Sequence, residues 1–140
     1  MLLMLEDNAE RVRRFTAALR SVNPALELRL WRNAWTMIRE VEPLLPLARV
    51  ISLDHDLDPE DGDPSDPGTG WDVAQFLAAR PPACPVIIHT SNGPRADWMC
   101  GEFELGGWRY HRVAPLGDDW IENDWRRVIR RLLRRRAREK

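Results

Sequence analysis

Lysine, cysteine and long apolar runs are all scarce in this chain of 140 residues. No apolar run approaches the roughly 18 residues that cross a bilayer, so the sequence predicts no membrane span. The 2 cysteines, Cys84 and Cys100, form no C-x-x-C motif, which favours reduced thiols in a cytoplasmic protein over a disulfide framework. The apolar start, Met1 to Leu5, has no basic flank, so we expect a buried first strand rather than a signal peptide.

Charge is distributed unevenly along the chain. The formal net charge is −1, yet the segment from Trp120 to Lys140 carries nine basic and three acidic side chains. That segment therefore has a local charge of +6, and the remainder of the chain has −7. A basic helix over 119–140 could contact nucleic-acid phosphate or a protein partner. A solvated helix face, with basic charge favourable near its carboxyl end, is the alternative.

Apolar runs alternate with segments of helical periodicity along the whole chain. The predicted strands are Leu2–Leu5, Leu26–Leu30, Arg49–Leu53, Pro85–Thr90 and Trp108–Val113. Helices are predicted over 9–22 and 34–42, and from Thr69, Asn92 and Asp118 onwards. Five successive strand–helix units predict a parallel, doubly wound sheet with helices on both faces. Ligands of such sheets bind beyond the carboxyl ends of the strands.

Carboxylates follow two of the predicted strands at the point where each strand ends. Glu6 and Asp7 follow the first strand, and Asp54 follows the third. In a sheet of order 2-1-3-4-5 these ends are neighbours, so the three side chains should converge and repel one another. Mg²⁺, or Mn²⁺, prefers such oxygen ligands and would relieve the repulsion. Capping of the first helix by Glu6 and Asp7 is the structural alternative.

Two histidines occur at the same edge of the predicted sheet. His55 stands between Asp54 and Asp56, and His89 ends the fourth strand, followed by Thr90, Ser91 and Asn92. Imidazoles at the ends of adjacent strands can act as a general base and a general acid. A loop-ordering role for His55 and a core position for His89 are the alternatives.

Tryptophan is abundant, with 7 residues in this chain. Trp31, Trp35 and Trp125 occupy apolar positions of predicted strands and helices and are expected in the core. Trp71 and Trp98 are expected near the start of helices beside the strand ends. A nucleobase could stack on either ring, and packing at a helix start is the alternative.

The residues at the strand ends resemble the receiver domains of response regulators. The matching positions are Glu6-Asp7, Asp54, Gly70, Thr90-Ser91 and Pro115. The resemblance implies Mg²⁺ binding by Glu6 and Asp7, a phospho-acceptor position at Asp54, and contact of Thr90 or Ser91 with the phosphoryl group. Receivers carry a lysine just before that proline, where this chain has Ala114. Lys140 is the only lysine and Arg112 is no equivalent, so ordinary phospho-switching is not expected.

Three further segments resemble a derived family, the cyclic-phosphate processing receiver-like domains. These segments are Ser52-Leu-Asp54-His55-Asp56-Leu57, Gly68-Thr-Gly70 and His89-Thr-Ser-Asn92. The resemblance implies a flavodoxin-like α/β fold and a single receiver-like domain over 1–140. It also implies a role in handling cyclic phosphate ends of RNA or nucleotides. The implied site residues are Asp7, Asp54, His55, Asp56 and His89.

The function expected from these residues is metal-assisted processing of a cyclic phosphate on a nucleotide or an RNA end. Glu6, Asp7 and Asp54 would hold the metal, and His55 and His89 would move protons beside Asp54. The substrate-binding candidates are Asp56, Thr90, Ser91 and Asn92. An atypical receiver, phosphorylated at Asp54 or acting unphosphorylated as a protein-interaction module, is the alternative. A pure interaction domain that uses the basic last helix is a third.

Overall fold

A computed structural model describes the backbone of residues 1–139 and the side chains of residues 1–134. Five parallel strands form one sheet in the order β2-β1-β3-β4-β5. The strands are β1 (Leu2–Leu5), β2 (Leu28–Trp31), β3 (Val50–Leu53), β4 (Val86–Ile88) and β5 (Tyr110–Arg112). The helices are α1 (Ala9–Val22), α2 (Ala34–Glu40), α3 (Gly70–Ala78), α4 (Gly93–Leu105) and α5 (Arg126–Glu139). The predicted α/β, flavodoxin-like fold and strand order are confirmed.

The ends of several elements differ from their predicted positions. The second strand ends at Trp31 rather than Leu30, because periodicity reports which face a residue occupies and not where the ladder stops. The predicted helix over 34–42 ends at Glu40 and a 3₁₀ helix, Glu42–Leu47, follows it. Pro43 and Pro46 have no N–H to donate, which prevents α-helical continuation there. The last helix begins with a π-helical segment, Ile121–Trp125.

Apolar side chains from the two faces of the sheet form two separate core layers. Leu3, Leu5 and Ile51 face the layer that contains α2, α3 and α4. Leu2 and Met4 face the other layer, which contains α1 and α5. All four residues of β1 and of β3 are buried, as expected for central parallel strands covered on both faces. These two strands are therefore rigid supports for whatever follows their carboxyl ends.

Side-chain caps fix the helices that begin at the carboxyl edge of the sheet. Asn8 accepts a hydrogen bond from the Arg11 amide, and Asn92 accepts one from the Arg95 amide. Thr69 and Asp72 form a capping box at the start of α3. Each cap satisfies amides that a helix start leaves without partners. The helix starts are thus held in place around the strand ends.

The tryptophans expected in the core divide into two groups. Trp31 and Trp125 are buried, whereas Trp35 is 40% exposed. Trp35 lies on the outer side of α2, where its ring would contact a Cβ placed on Gly68. Its apolar position in the sequence therefore reflects packing on the loop before α3 and not burial in the core.

Within residues 1–139, no helix has both the length and the apolar character to cross a membrane. Within the predicted basic helix over 119–140, the π-helical segment Ile121–Trp125 is followed by α5, Arg126–Glu139. Lys140 and the side chains of residues 135–139 lie outside the described part of the chain.

Candidate metal and phosphate site

A cleft of about 890 Å³ opens beyond the carboxyl ends of β1 and β3. Its described lining includes seven carboxylate side chains, from Glu6 and Asp7 to Asp61, and two arginines, Arg11 and Arg32. Thr90 and Ser91, from the end of β4, complete one wall. We call this space the acidic cleft. Its volume is within the range of small-ligand sites, which suits a nucleotide.

The three metal-ligand candidates lie together on the wall of the acidic cleft. One carboxylate oxygen each from Glu6, Asp7 and Asp54 lies within 4.8 Å of the others. Glu6 and Asp54 are buried, and Asp7 is half-buried. The Oδ2 atom of Asp7 accepts a hydrogen bond of 2.6 Å from the amide of Asp58, in the loop above. Because β1 and β3 are neighbours in the sheet, the residues that follow them lie close together.

Glu6 is held rigidly in its ionised form. Its Oε2 atom accepts hydrogen bonds from the amides of Asp7 (2.9 Å) and Asn8 (3.0 Å). Its Oε1 atom faces Nε2 of His89 at 3.2 Å. Burial would raise the pKa of Glu6, but the hydrogen bonds and positive charge around it outweigh burial and lower the pKa to about 2. Glu6 is therefore a carboxylate, and the Nε2 atom that faces it carries a proton.

The pKa of Asp54 is raised, in contrast to that of Glu6. Burial, together with the charge of Glu6, raises its pKa to about 7 in spite of nearby positive charge. Its Oδ1 atom accepts a hydrogen bond of 2.7 Å from the amide of His55. Burial also raises the pKa of Asp7. A divalent cation among these groups would remove their mutual repulsion and favour the loss of protons.

His89 lies beneath the acidic cleft and not on its wall. Its side chain is fully buried, and its ring packs on Phe15 with 4.9 Å between centroids. Nδ1 pairs with Oγ of Ser52 at 2.7 Å, and Ser52 also accepts a hydrogen bond from Nε1 of Trp125 at 3.1 Å. Both ring nitrogens thus have protein partners. His89 thus points towards α1 and does not line the cleft, whereas the sequence led us to expect that it moves protons there.

His55 is also buried, at 4% exposure, but it contacts a residue that faces the cleft. Its Nδ1 atom pairs with Oδ1 of Asp56 at 2.7 Å. Asp56 is largely exposed and lines the acidic cleft. The side-chain amide of Asn92 lies 3.3 Å from the other carboxylate oxygen of Asp56. His55 and Asn92 therefore orient Asp56, and of the substrate-binding candidates Asp56, Thr90 and Ser91 reach the cleft directly.

Gly70 brings the start of α3 directly against the end of β3. A Cβ atom at this position would lie 1.8 Å from the carbonyl oxygen of Asp54. The Gly70 amide donates a hydrogen bond of 3.0 Å to the carbonyl of His55. Only glycine permits this approach, which sets the position of the backbone that carries Asp54 and His55.

The arginine that lies beside Asp54, Arg11, was not predicted from the sequence. Arg112, two residues before Ala114 at the position of the missing receiver lysine, pairs with Asp97 at 3.3 Å. Nη1 of Arg11 lies 3.7 Å from Glu6 and 3.9 Å from Asp54. The position of Arg11 in the first turn of α1 is a sequence signal for this contact. Long side chains in the first turn of a helix point back towards its amino end.

The model of the cyclic-phosphate processing receiver domain family matches residues 1–104 of this chain. The search of curated proteins found no match to this chain. Solved receiver structures share the fold. A response regulator receiver domain from Rhodospirillum rubrum is 19% identical, with a TM-score of 0.67, and the match covers 92% of this chain and 90% of that chain.

Two further solved structures are described as containing a divalent metal ion. The Mn²⁺-bound form of response regulator Rcp1 is 18% identical, with a TM-score of 0.60, covering 91% of this chain and 89% of that one. The CheX-CheY-BeF3-Mg²⁺ complex from Borrelia burgdorferi is 12% identical, with a TM-score of 0.65, covering 94% and 84%. At such identities these likenesses show the receiver fold alone. The family match, which spans most of the chain, shows that it belongs to the cyclic-phosphate processing receiver domains.

Proposed function

We propose that this chain uses a divalent cation, Mg²⁺ or Mn²⁺, to hydrolyse a cyclic phosphate on a nucleotide or an RNA end. The observation that supports this most directly is the convergence of Glu6, Asp7 and Asp54 at the wall of a cleft of nucleotide size. Membership of the cyclic-phosphate processing receiver domains supports a cyclic phosphate as the substrate. On this proposal residues 1–140 act as one receiver-like domain.

The donor set fits a hard cation. Glu6, Asp7 and Asp54 offer carboxylate oxygens only, and oxygen ligands with remaining water positions suit Mg²⁺ and Mn²⁺ better than softer metals. Burial, together with the charge of Glu6, raises the pKa of Asp54, and a bound cation would favour its ionised form. When bound, the cation would polarise phosphoryl oxygens and offset developing negative charge.

Asp56 and His55 form the proton-accepting pair of the proposed reaction. Attack of water on the cyclic phosphorus forms one P–O bond, breaks the bond to a ribose oxygen, and moves a proton from the water to that leaving oxygen. Asp56 faces the cleft, and its contact with His55 at 2.7 Å lets the imidazole share the proton. Thr90 and Ser91 carry hydroxyls that can donate to phosphoryl oxygens. His89 holds Glu6 in place from beneath.

Metal binding is the first test of the proposal. A ligand that binds only the folded state stabilises it by about 2.7 kcal/mol at 100 times its Kd. Mn²⁺ should therefore raise the melting temperature of the wild type, and Asp7→Asn should abolish the rise. Asp61→Asn, which removes a charge from the rim of the same cleft, is the matched control and should keep it. An undiminished rise in Asp7→Asn would contradict this ligand assignment.

Turnover is the second test. RNA oligonucleotides and mononucleotides that end in a 2′,3′-cyclic phosphate should be opened in the presence of Mn²⁺. Replacement of Asp56 by Asn, or of His55 by Gln, should slow the reaction by about 10²- to 10⁴-fold, as expected for loss of a positioned base. His89→Gln should lower the melting temperature as well as the rate, because the buried imidazole of His89 holds Glu6 in place.

The atypical receiver is the other candidate, in which Asp54, directly after β3, would be the phospho-acceptor. Incubation with acetyl phosphate or beryllofluoride separates the two functions. A stable adduct at Asp54, with no opening of any cyclic phosphate, would replace the hydrolase proposal with a signalling one. With Ala114 in place of lysine, we expect no such switching.

A further inference from the structure

Two cations face the acidic cleft and have no assigned role. Arg11 and Arg32 are the basic side chains in its described lining, among seven carboxylates. Arg11 belongs to the first turn of α1, and Arg32 directly follows β2. Arg32 is exposed, and among the side chains of residues 1–134 it takes part in none of the ion pairs.

Arg11 is close to two carboxylates without being bonded to them. Its Nη1 atom lies 3.7 Å from Glu6 and 3.9 Å from Asp54, and both distances exceed those of N–H···O hydrogen bonds. The guanidinium lies over the ring of Trp120, 5.3 Å from its centroid. The contact with Trp120 restrains the guanidinium, and Arg11 lines the cleft. The side chain is 28% exposed, so a ligand can reach it.

The same carboxylates are the proposed metal ligands, so Arg11 and a divalent cation compete for them. Once a metal neutralises Glu6 and Asp54, the attraction that holds Arg11 towards them is lost. Its planar fork of donors matches the oxygens of a phosphate group. A phosphate bound to that metal would lie beside the Arg11 guanidinium.

We infer that Arg11 and Arg32 are the phosphate-binding cations of the acidic cleft. Arg11 binds the phosphate held at the metal, whether cyclic or monoester, and Arg32 binds an adjacent phosphate of a nucleotide or RNA chain. The positive charge that receivers place after β5 is thus supplied from α1. This inference rests on the proposed function, since it takes the same cleft and the same phosphate.

Replacing Arg11 should change metal and phosphate binding in opposite directions. Mn²⁺ alone should bind Arg11→Gln about 2- to 10-fold more tightly than wild type, because a competing charge within 4 Å of two ligands is gone. With Mn²⁺ saturating, 2′,3′-cyclic AMP and AMP should bind about 10- to 100-fold more weakly, the range for a lost charge-assisted contact. Isothermal titration calorimetry measures both affinities on the full chain.

Arg13→Gln is the matched control, because Arg13 is an exposed residue of the same helix that does not line the cleft. Both affinities of this variant should equal those of wild type. Arg32→Gln should leave Mn²⁺ affinity unchanged. It should weaken a dinucleotide with a cyclic phosphate end more than it weakens 2′,3′-cyclic AMP.

The outcomes distinguish this inference from the proposed function. If Arg11→Gln binds both nucleotides as tightly as wild type does, the inference is overturned, while cyclic-phosphate binding by wild type still supports the proposed function. If wild type binds AMP in an Arg11-dependent way but not 2′,3′-cyclic AMP, the phosphate-binding role stands and the cyclic substrate falls. If wild type binds neither nucleotide with Mn²⁺ present, both are overturned.

Discussion

Substitution of Gly70 by alanine tests how closely α3 must approach the end of β3. The new Cβ would lie 1.8 Å from the carbonyl oxygen of Asp54 and 2.9 Å from Cα of His55. Real Cβ contacts essentially never fall below 3.0 Å, so the two segments must separate by about 1 Å or more. Both are backbone, and no side-chain rotation can relieve the overlap. Such overpacking costs about 1–3 kcal/mol.

For a chain of 140 residues this corresponds to a fall in melting temperature of about 4–12 °C. Circular dichroism would measure the fall, and Mn²⁺ titration should show weaker binding because Asp54 is displaced. Gly101→Ala is the matched control, since a Cβ there meets no atom within 4 Å. In the middle of α4 it should instead stabilise by about 1 kcal/mol. A Gly70→Ala variant with wild-type melting temperature and Mn²⁺ affinity would refute the reasoning.

Two further predictions concern the buried polar groups. Ser52→Ala removes the partner of both His89 Nδ1 and Trp125 Nε1 and should cost about 1–3 kcal/mol in urea unfolding. Exposed Ser65→Ala should change stability by no more than about 0.5 kcal/mol. In metal-free buffer, Asp54 binds its proton more tightly in the folded state, because burial raises its pKa from 3.8 to about 7. The free energy of unfolding should therefore fall as pH rises through that window, and Asp54→Asn should show a smaller fall. An equal slope in both proteins would exclude Asp54 as the titrating group.

The sheet order and the convergence of Glu6, Asp7 and Asp54 were predictable from the sequence. Buried strands show as continuous apolar runs, and parallel strands bring their carboxyl ends to one edge. The cap at Asn8 and the capping box at Thr69 were also readable, because both depend on neighbours within three residues. Local chemistry of this kind does not require knowledge of the tertiary structure.

The burial of His89 and the position of Arg11 were less accessible. β4 is covered on both faces, so no polar alternation shows which face His89 occupies. The fold shows that His89 lies on the same face of the sheet as Ile87, towards α1. There its ring packs on Phe15 and its Nδ1 atom pairs with Ser52. The reach of Arg11 depends on how α1 is rotated about its axis.

The buried hydrogen-bond chain from Trp125 through Ser52 and His89 to Glu6 also constrains how this family can diverge. Each of the inner members satisfies two neighbours, so a single replacement leaves a buried polar atom without a partner. Substitutions that arrive one at a time pass through a destabilised intermediate sequence. Relatives should therefore keep Ser52, His89 and Trp125 as a set or replace them as a set. Such joint inheritance would appear as covariation between β3, β4 and the segment before α5.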